Sequence, residues 1–63
     1  MNAARKIKEY LRENGIKQTY LAEKTGIDIS TLNAILNENT RLTVDRLELI
    51  CKALNVSSEI FLN

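Results

Sequence analysis

The chain has 63 residues, 44% of them hydrophobic, a net charge of +1, one cysteine and no histidine. That length allows one domain, spanning residues 1–63, with a small core; the missing histidine and lone cysteine exclude an intrachain disulfide, a Cys/His zinc site and a histidine general base. No apolar run approaches the ~20 residues that cross a bilayer, and Lys6, Lys8 and Glu9 interrupt any signal-peptide core, so the sequence reads as a soluble cytoplasmic domain.

Five helices and no strands are predicted, since no segment alternates with period two for long enough. The first helix runs roughly Ala3 to Glu13, with Ile7, Tyr10 and Leu11 on one apolar face. Asn14-Gly15 ends it, with Gly15 left-handed and Ile16 packing back. The second runs about Gln18 to Lys24, carries a Leu21–Ala22 stripe, and stops at a left-handed Gly26. Asp28 caps the third, about Ile29 to Leu36, whose inner face is Leu32 and Ile35. Asn37 to Leu42 reads as a polar loop. Thr43 caps the fourth helix, with Asp45 in its first turn and a face of Val44, Leu47, Ile50, Cys51 and Leu54. Glu48 and Lys52 are spaced as an i, i+4 pair. Ser57 caps a last short helix carrying Ile60 and Phe61.

The stretch Gln18 to Ile35 is the most informative. Two short helices joined by a tight turn with glycine make a helix-turn-helix. Such a motif leaves its second helix free to enter the major groove of DNA. Charge is weak in total but unevenly placed. Arg5, Lys6, Lys8, Arg12, Lys17 and Lys24 outnumber the acids before Asp28, and acids prevail after it. The split permits a basic DNA-facing side, although ordinary solvated helix faces would look the same. Two glycines leave no phosphate-cradling loop. Asp45 and Glu48 read as helix-start residues rather than an acid–base pair. No enzymatic role, cofactor or metal is expected.

Together, Gln18, Leu21, Ala22, Gly26, Leu32 and Ile35, followed by Thr43 to Ser57, resemble the phage repressor and Cro type of helix-turn-helix protein, the xenobiotic-response-element class. The resemblance covers about Ile7 to Leu62. It implies an all-α, lambda-repressor-like fold and a transcriptional regulator that binds double-stranded DNA. Three departures stand out. Where the family commonly pairs an Arg late in helix 1 with a Glu ending helix 3, this chain has Leu11 and Leu36. Replacing both partners of a buried ion pair by apolar groups is often neutral or stabilising, so the two leucines are expected to meet in the core. Lys17 stands where a capping Ser, Thr or Asn is common, and Glu38 where Gly is common.

The resemblance places Ile29, Ser30, Asn33 and Ala34 nearest the base edges. Asn suits adenine, Ser several bases, and Ile or Ala the thymine methyl. No Arg or Lys on this helix reads guanine, so an A·T-rich operator is expected at the contacted positions. Gln18 and Thr19 are expected to grip the DNA backbone, with Gln18 also bracing helix 3. Thr31, Asn37, Asn39, Thr40 and Arg41 can donate to phosphates, which sets register without reading sequence; simple turn chemistry explains the asparagine-rich loop equally well. Tyr10 fits the core, and Tyr20 either packs on the surface or reaches a phosphate. Cys51 reads as a small buried hydrophobe. A homodimer on an inverted repeat, with Ile60, Phe61 and Leu62 at its interface, is the expected assembly, unless Ile60 and Phe61 complete the monomer core instead. No membrane or small-molecule ligand is expected. The rival reading is a protein-interaction module on the same fold, antitoxin-like or antirepressor-like, with weak DNA binding.

Overall fold

The structure is a computed structural model and describes residues 2–62. Among these residues it is all helical: α1 Ala3–Glu13, α2 Gln18–Thr25, α3 Ile29–Leu36, α4 Val44–Leu54 and α5 Glu59–Leu62. The order and the absence of strands agree with the sequence reading. α2 runs one residue further than expected, because Thr25 extends the last turn by donating its hydroxyl to the Leu21 carbonyl at 2.8 Å.

Each helix begins on a residue with a short polar side chain, with α2 the exception. Asn2 accepts from the Arg5 amide at 3.3 Å, and Thr43 accepts from the Arg46 amide at 3.2 Å. Ser57 accepts from the Glu59 amide at 3.3 Å. Each bond satisfies an amide that the helix cannot pair internally.

The helix exits share one device, a left-handed residue that folds the chain back. After α1, Gly15 (φ 65°) lets Ile16 N–H reach the Leu11 carbonyl at 2.8 Å. Asn55 (φ 58°) does the same for Val56 and Cys51 at 3.0 Å. After α3 the left-handed residue is Glu38 (φ 64°), and Asn39 N–H reaches the Ala34 carbonyl at 2.8 Å. A side chain in this conformation costs roughly 1–2 kcal/mol. Glu38 meets that cost with two contacts to the start of α1: Asn2 Nδ2 donates to its carboxylate at 2.7 Å, and Arg5 Nε lies 3.5 Å away. The turn usual for Gly therefore survives a Glu. The exposed Arg5 pair adds only a fraction of a kcal/mol by itself.

One apolar cluster holds the helices together. It comprises Ile7 and Leu11 of α1, Leu21 and Ala22 of α2, Ile27 of the α2–α3 turn, Leu32 and Leu36 of α3, Leu47, Ile50 and Cys51 of α4, and Phe61 of α5. Leu11 and Leu36 are both buried in this one cluster, the setting that the replaced ion pair requires. α2 packs on α3 and α4, while α1 packs on α3 and α5. Tyr10 packs against the cluster edge-on to the Phe61 ring, with centroids 5.6 Å apart. Burial pushes the Cys51 thiol pKa up, which keeps it protonated and unreactive.

Three expectations need correction. Phe61 is 1% exposed and lies in the core, so it is not available to a dimer interface. A ring of that size, placed where α5 folds over α1, gains more from burial than any aliphatic neighbour can. Val44, expected on the inner face of α4, is 70% exposed, because the first turn of α4 overhangs the edge of the core. Among the described residues the ion pair within 4 Å is Arg5–Glu38, and Glu48 and Lys52 do not close theirs.

Candidate nucleic-acid interface

The candidate surface is built from the starts of α2 and α3 and the outer edge of α1. α2 and α3 are linked by Gly26, which is left-handed (φ 77°) and returns its N–H to the Ala22 carbonyl at 2.9 Å. Ile27 then enters the core, and Asp28 opens α3. With its inner face of Leu32, Ile35 and Leu36 buried, α3 can present only the opposite face to solvent. Eight residues make a helix about 12 Å long, short enough to sit in a major groove about 12 Å wide.

Asp28 accepts from the Ser30 backbone amide at 3.0 Å and also from the Ser30 hydroxyl. The Ser30 hydroxyl bond, helped by the Ser30 and Thr31 amides, holds the Asp28 carboxyl below its usual pKa. The Ser30 proton is thus committed, and the hydroxyl faces outward as an acceptor.

Four polar side chains from three elements form one hydrogen-bonded chain. Lys8 Nζ donates to Asn37 Oδ1 at 2.6 Å. Asn37 Nδ2 donates to Asn33 Oδ1 at 2.7 Å, and Asn33 Nδ2 donates to Gln18 Oε1 at 3.3 Å. An asparagine amide has two N–H donors and two carbonyl lone pairs. Asn33 uses one of each inside the protein. It keeps one donor and one acceptor, the pair that adenine N7 and N6 require in the major groove.

At the head of α2, Lys17 has an extended backbone and makes no side-chain cap, as its replacement of Ser or Thr suggests. The first amides of α2 stay open beside a lysine ammonium, an arrangement that favours an anion. Gln18 is half-buried at that start, and Thr19 is exposed.

The sequence-predicted residues divide into groups. Gln18, Asn33 and Asn37 come together in the hydrogen-bonded chain. Thr19 and Ile29 line one shallow depression over the α2–α3 turn. Ser30 sits at the head of α3 with Asp28. Thr31 and Ala34 are half-buried, so they offer less surface than expected. Asn39 is exposed after α3. Thr40 and Arg41 instead line a groove with Ala3, Leu42, Val44 and Leu62. Ile60 faces another groove beside Lys6, Glu9 and Tyr10, so Ile60 and Leu62 do not form one patch. Tyr20 packs on the surface, with the Lys24 ammonium 5.7 Å from its ring centroid. Sequence reasoning missed Lys8. Its signal was indirect: if Leu11 and Leu36 share the core, the turn of α1 before Leu11 runs beside the end of α3.

The capped, outward-facing second helix and the open start of the first define a helix-turn-helix DNA-binding domain. A family model described as helix-turn-helix matches residues 7–61. The chain belongs to this family, in its phage repressor and Cro-type branch of transcription regulators that bind double-stranded DNA. The fold is lambda-repressor-like. This is a family of DNA-binding regulators rather than of enzymes. No match is found among curated proteins or solved structures. Among the described residues no helix is long and apolar enough to cross a membrane.

Proposed function

We propose that this chain is a cytoplasmic repressor, acting as a single domain over residues 1–63, that binds an inverted-repeat operator as a homodimer and occludes promoters. In this reading Ile29, Ser30, Asn33 and Ala34 face the bases. Gln18, Thr19, Thr31, Asn37 and Asn39 hold the phosphate backbone, with Thr40 and Arg41 at its margin. The observation that carries the reading is the Asn33 amide, held by Gln18 and Asn37 with one donor and one acceptor left over. The lack of Arg and Lys on α3 favours A·T pairs at the contacted positions.

Dimerisation is supported by size: one such module buries only about 600–1,000 Å² on DNA, too little for tight specific binding alone. The interface is redrawn around Leu62, 52% exposed, and Val44, 70% exposed, which flank one groove. Ile60, which faces the separate groove beside Tyr10, and the buried Phe61 are left out of it.

Selection of bound duplexes from a random library at moderate salt tests the reading. The expected result is an inverted repeat with A·T-rich half-sites about ten base pairs apart. Asn33→Ala relaxes preference at one base pair, while Gln18→Ala weakens binding to all sequences alike. The Asp28 carboxylate, a negative charge on the α3 face, is the feature favouring the rival protein-interaction role. A folded protein that enriches no duplex would refute the repressor reading and favour that rival, moving the search to protein partners.

A further inference from the structure

The hydrogen-bonded chain has a direction, and one residue sets it. Lysine has donors and no acceptor, whereas each amide in the chain can turn either way round. Lys8 Nζ lies 2.6 Å from Asn37 Oδ1, so the Asn37 carbonyl must face it. The Asn37 amino group is then turned to Asn33 Oδ1 at 2.7 Å. The Asn33 amino group is turned in turn to Gln18 Oε1 at 3.3 Å. The Gln18 amino group ends the chain, a donor on the first residue of α2, whose head is uncapped and where a phosphate needs donors. Reversing the chain would place a carbonyl oxygen there and swap the two edges of the Asn33 amide. A swapped amide no longer matches the fixed positions of N6 and N7 on the same adenine.

We propose that Lys8, on α1 and outside the helix-turn-helix, is a positioning residue for sequence reading: its ammonium orients the amides of Asn37, Asn33 and Gln18 and thereby fixes the base that Asn33 accepts. Lys8, Asn37 and Asn33 are all exposed, so the chain adds little to stability. Its value lies in choosing one of two amide orientations. The proposal rests on the base-reading role of Asn33 given above.

The test uses Lys8→Met, which keeps the stem and removes the donor, and Lys8→Arg, which keeps a donor-only group. In the DNA-free protein, the side-chain amide resonances of Asn33 and Gln18 are expected to move in Lys8→Met and to return toward the original in Lys8→Arg. A response confined to Asn37 would overturn the proposal. In duplex selection, Lys8→Met is expected to lose about tenfold of its preference at the base pair facing Asn33, within the range for one bidentate contact, with an unchanged salt slope. Uniform weakening of all duplexes with a salt slope reduced by about one would make Lys8 a simple phosphate contact and overturn the proposal. If the unaltered protein enriches no duplex, the repressor reading fails, and the DNA-free resonances still decide whether Lys8 orients the chain.

Discussion

The two helices of the helix-turn-helix begin in opposite ways. α3 starts on Asp28, whose carboxylate takes the Ser30 amide at 3.0 Å and brings a negative charge. α2 starts on Lys17, which caps nothing and brings a positive charge. An unpaired helix start attracts a phosphate, and one already holding a carboxylate repels it. The difference separates two tasks that share one surface. The open start of α2 suits the DNA backbone, and the closed start of α3 leaves the helix free to offer side chains to bases. Under the proposed function, Lys17 gives up the stability of a cap for a phosphate site.

Lys17→Asp breaks this contrast and carries the largest expected effect. The backbone at this position is extended (φ −78°, ψ 144°), which suits a capping residue. Supplying a carboxylate there should raise stability by about 1 kcal/mol. It should also cost more than about tenfold in DNA affinity at moderate salt, since a cation is lost and an anion gained at a phosphate site. Thermal unfolding and a duplex titration on the same sample check both. Unchanged affinity would show that phosphates do not sit at the head of α2.

Gly26→Ala tests the turn that sets the two starts against each other. A Cβ at Gly26 would meet nothing within 4 Å, so the cost is backbone strain at φ 77° alone. A loss of about 1 kcal/mol is expected, lowering the melting temperature by roughly 4–8 °C for a domain of this size. A drop much larger than that would mean that the turn cannot hold its shape and the helices have re-oriented.

The contrast between the helix starts was legible because caps are local. Asp28 and Thr43 announce α3 and α4 from one residue each, and Asn14-Gly15 marks the end of α1. Features joining distant segments were not legible. A glutamate at a left-handed position gives no local reason for the turn to persist. Its support comes from Asn2 and Arg5 at the other end of the chain. Phe61, Ile60 and Leu62 are consecutive and apolar, and nothing in their order says which one points inward. That choice belongs to the ring of Tyr10, which meets Phe61 edge-on. Lys8 looked like an ordinary solvated lysine until α1 was laid beside the end of α3.

The smallest effect sharpens the comparison from the α3 side. Asp28→Asn keeps a capping oxygen and removes the charge. The Asp28 carboxyl pKa is lowered in the folded protein by its bonds to Ser30. Such a group stabilises the fold above its unfolded pKa, about 3.9, and that contribution disappears as pH falls through the lowered folded value. The original protein should therefore lose stability across the acid range below about pH 4. Asp28→Asn should lack that component, so the difference between the two should shrink as pH falls. Near neutral pH the substitution should strengthen DNA binding slightly, because a negative charge is removed from the surface proposed to meet an anionic ligand, with any change in preferred sequence expected at the position proposed for Ser30. If the two proteins keep the same stability difference at every pH, Asp28 acts at the head of α3 as a neutral hydrogen-bond acceptor would. The contrast with Lys17 would then be one of geometry rather than charge.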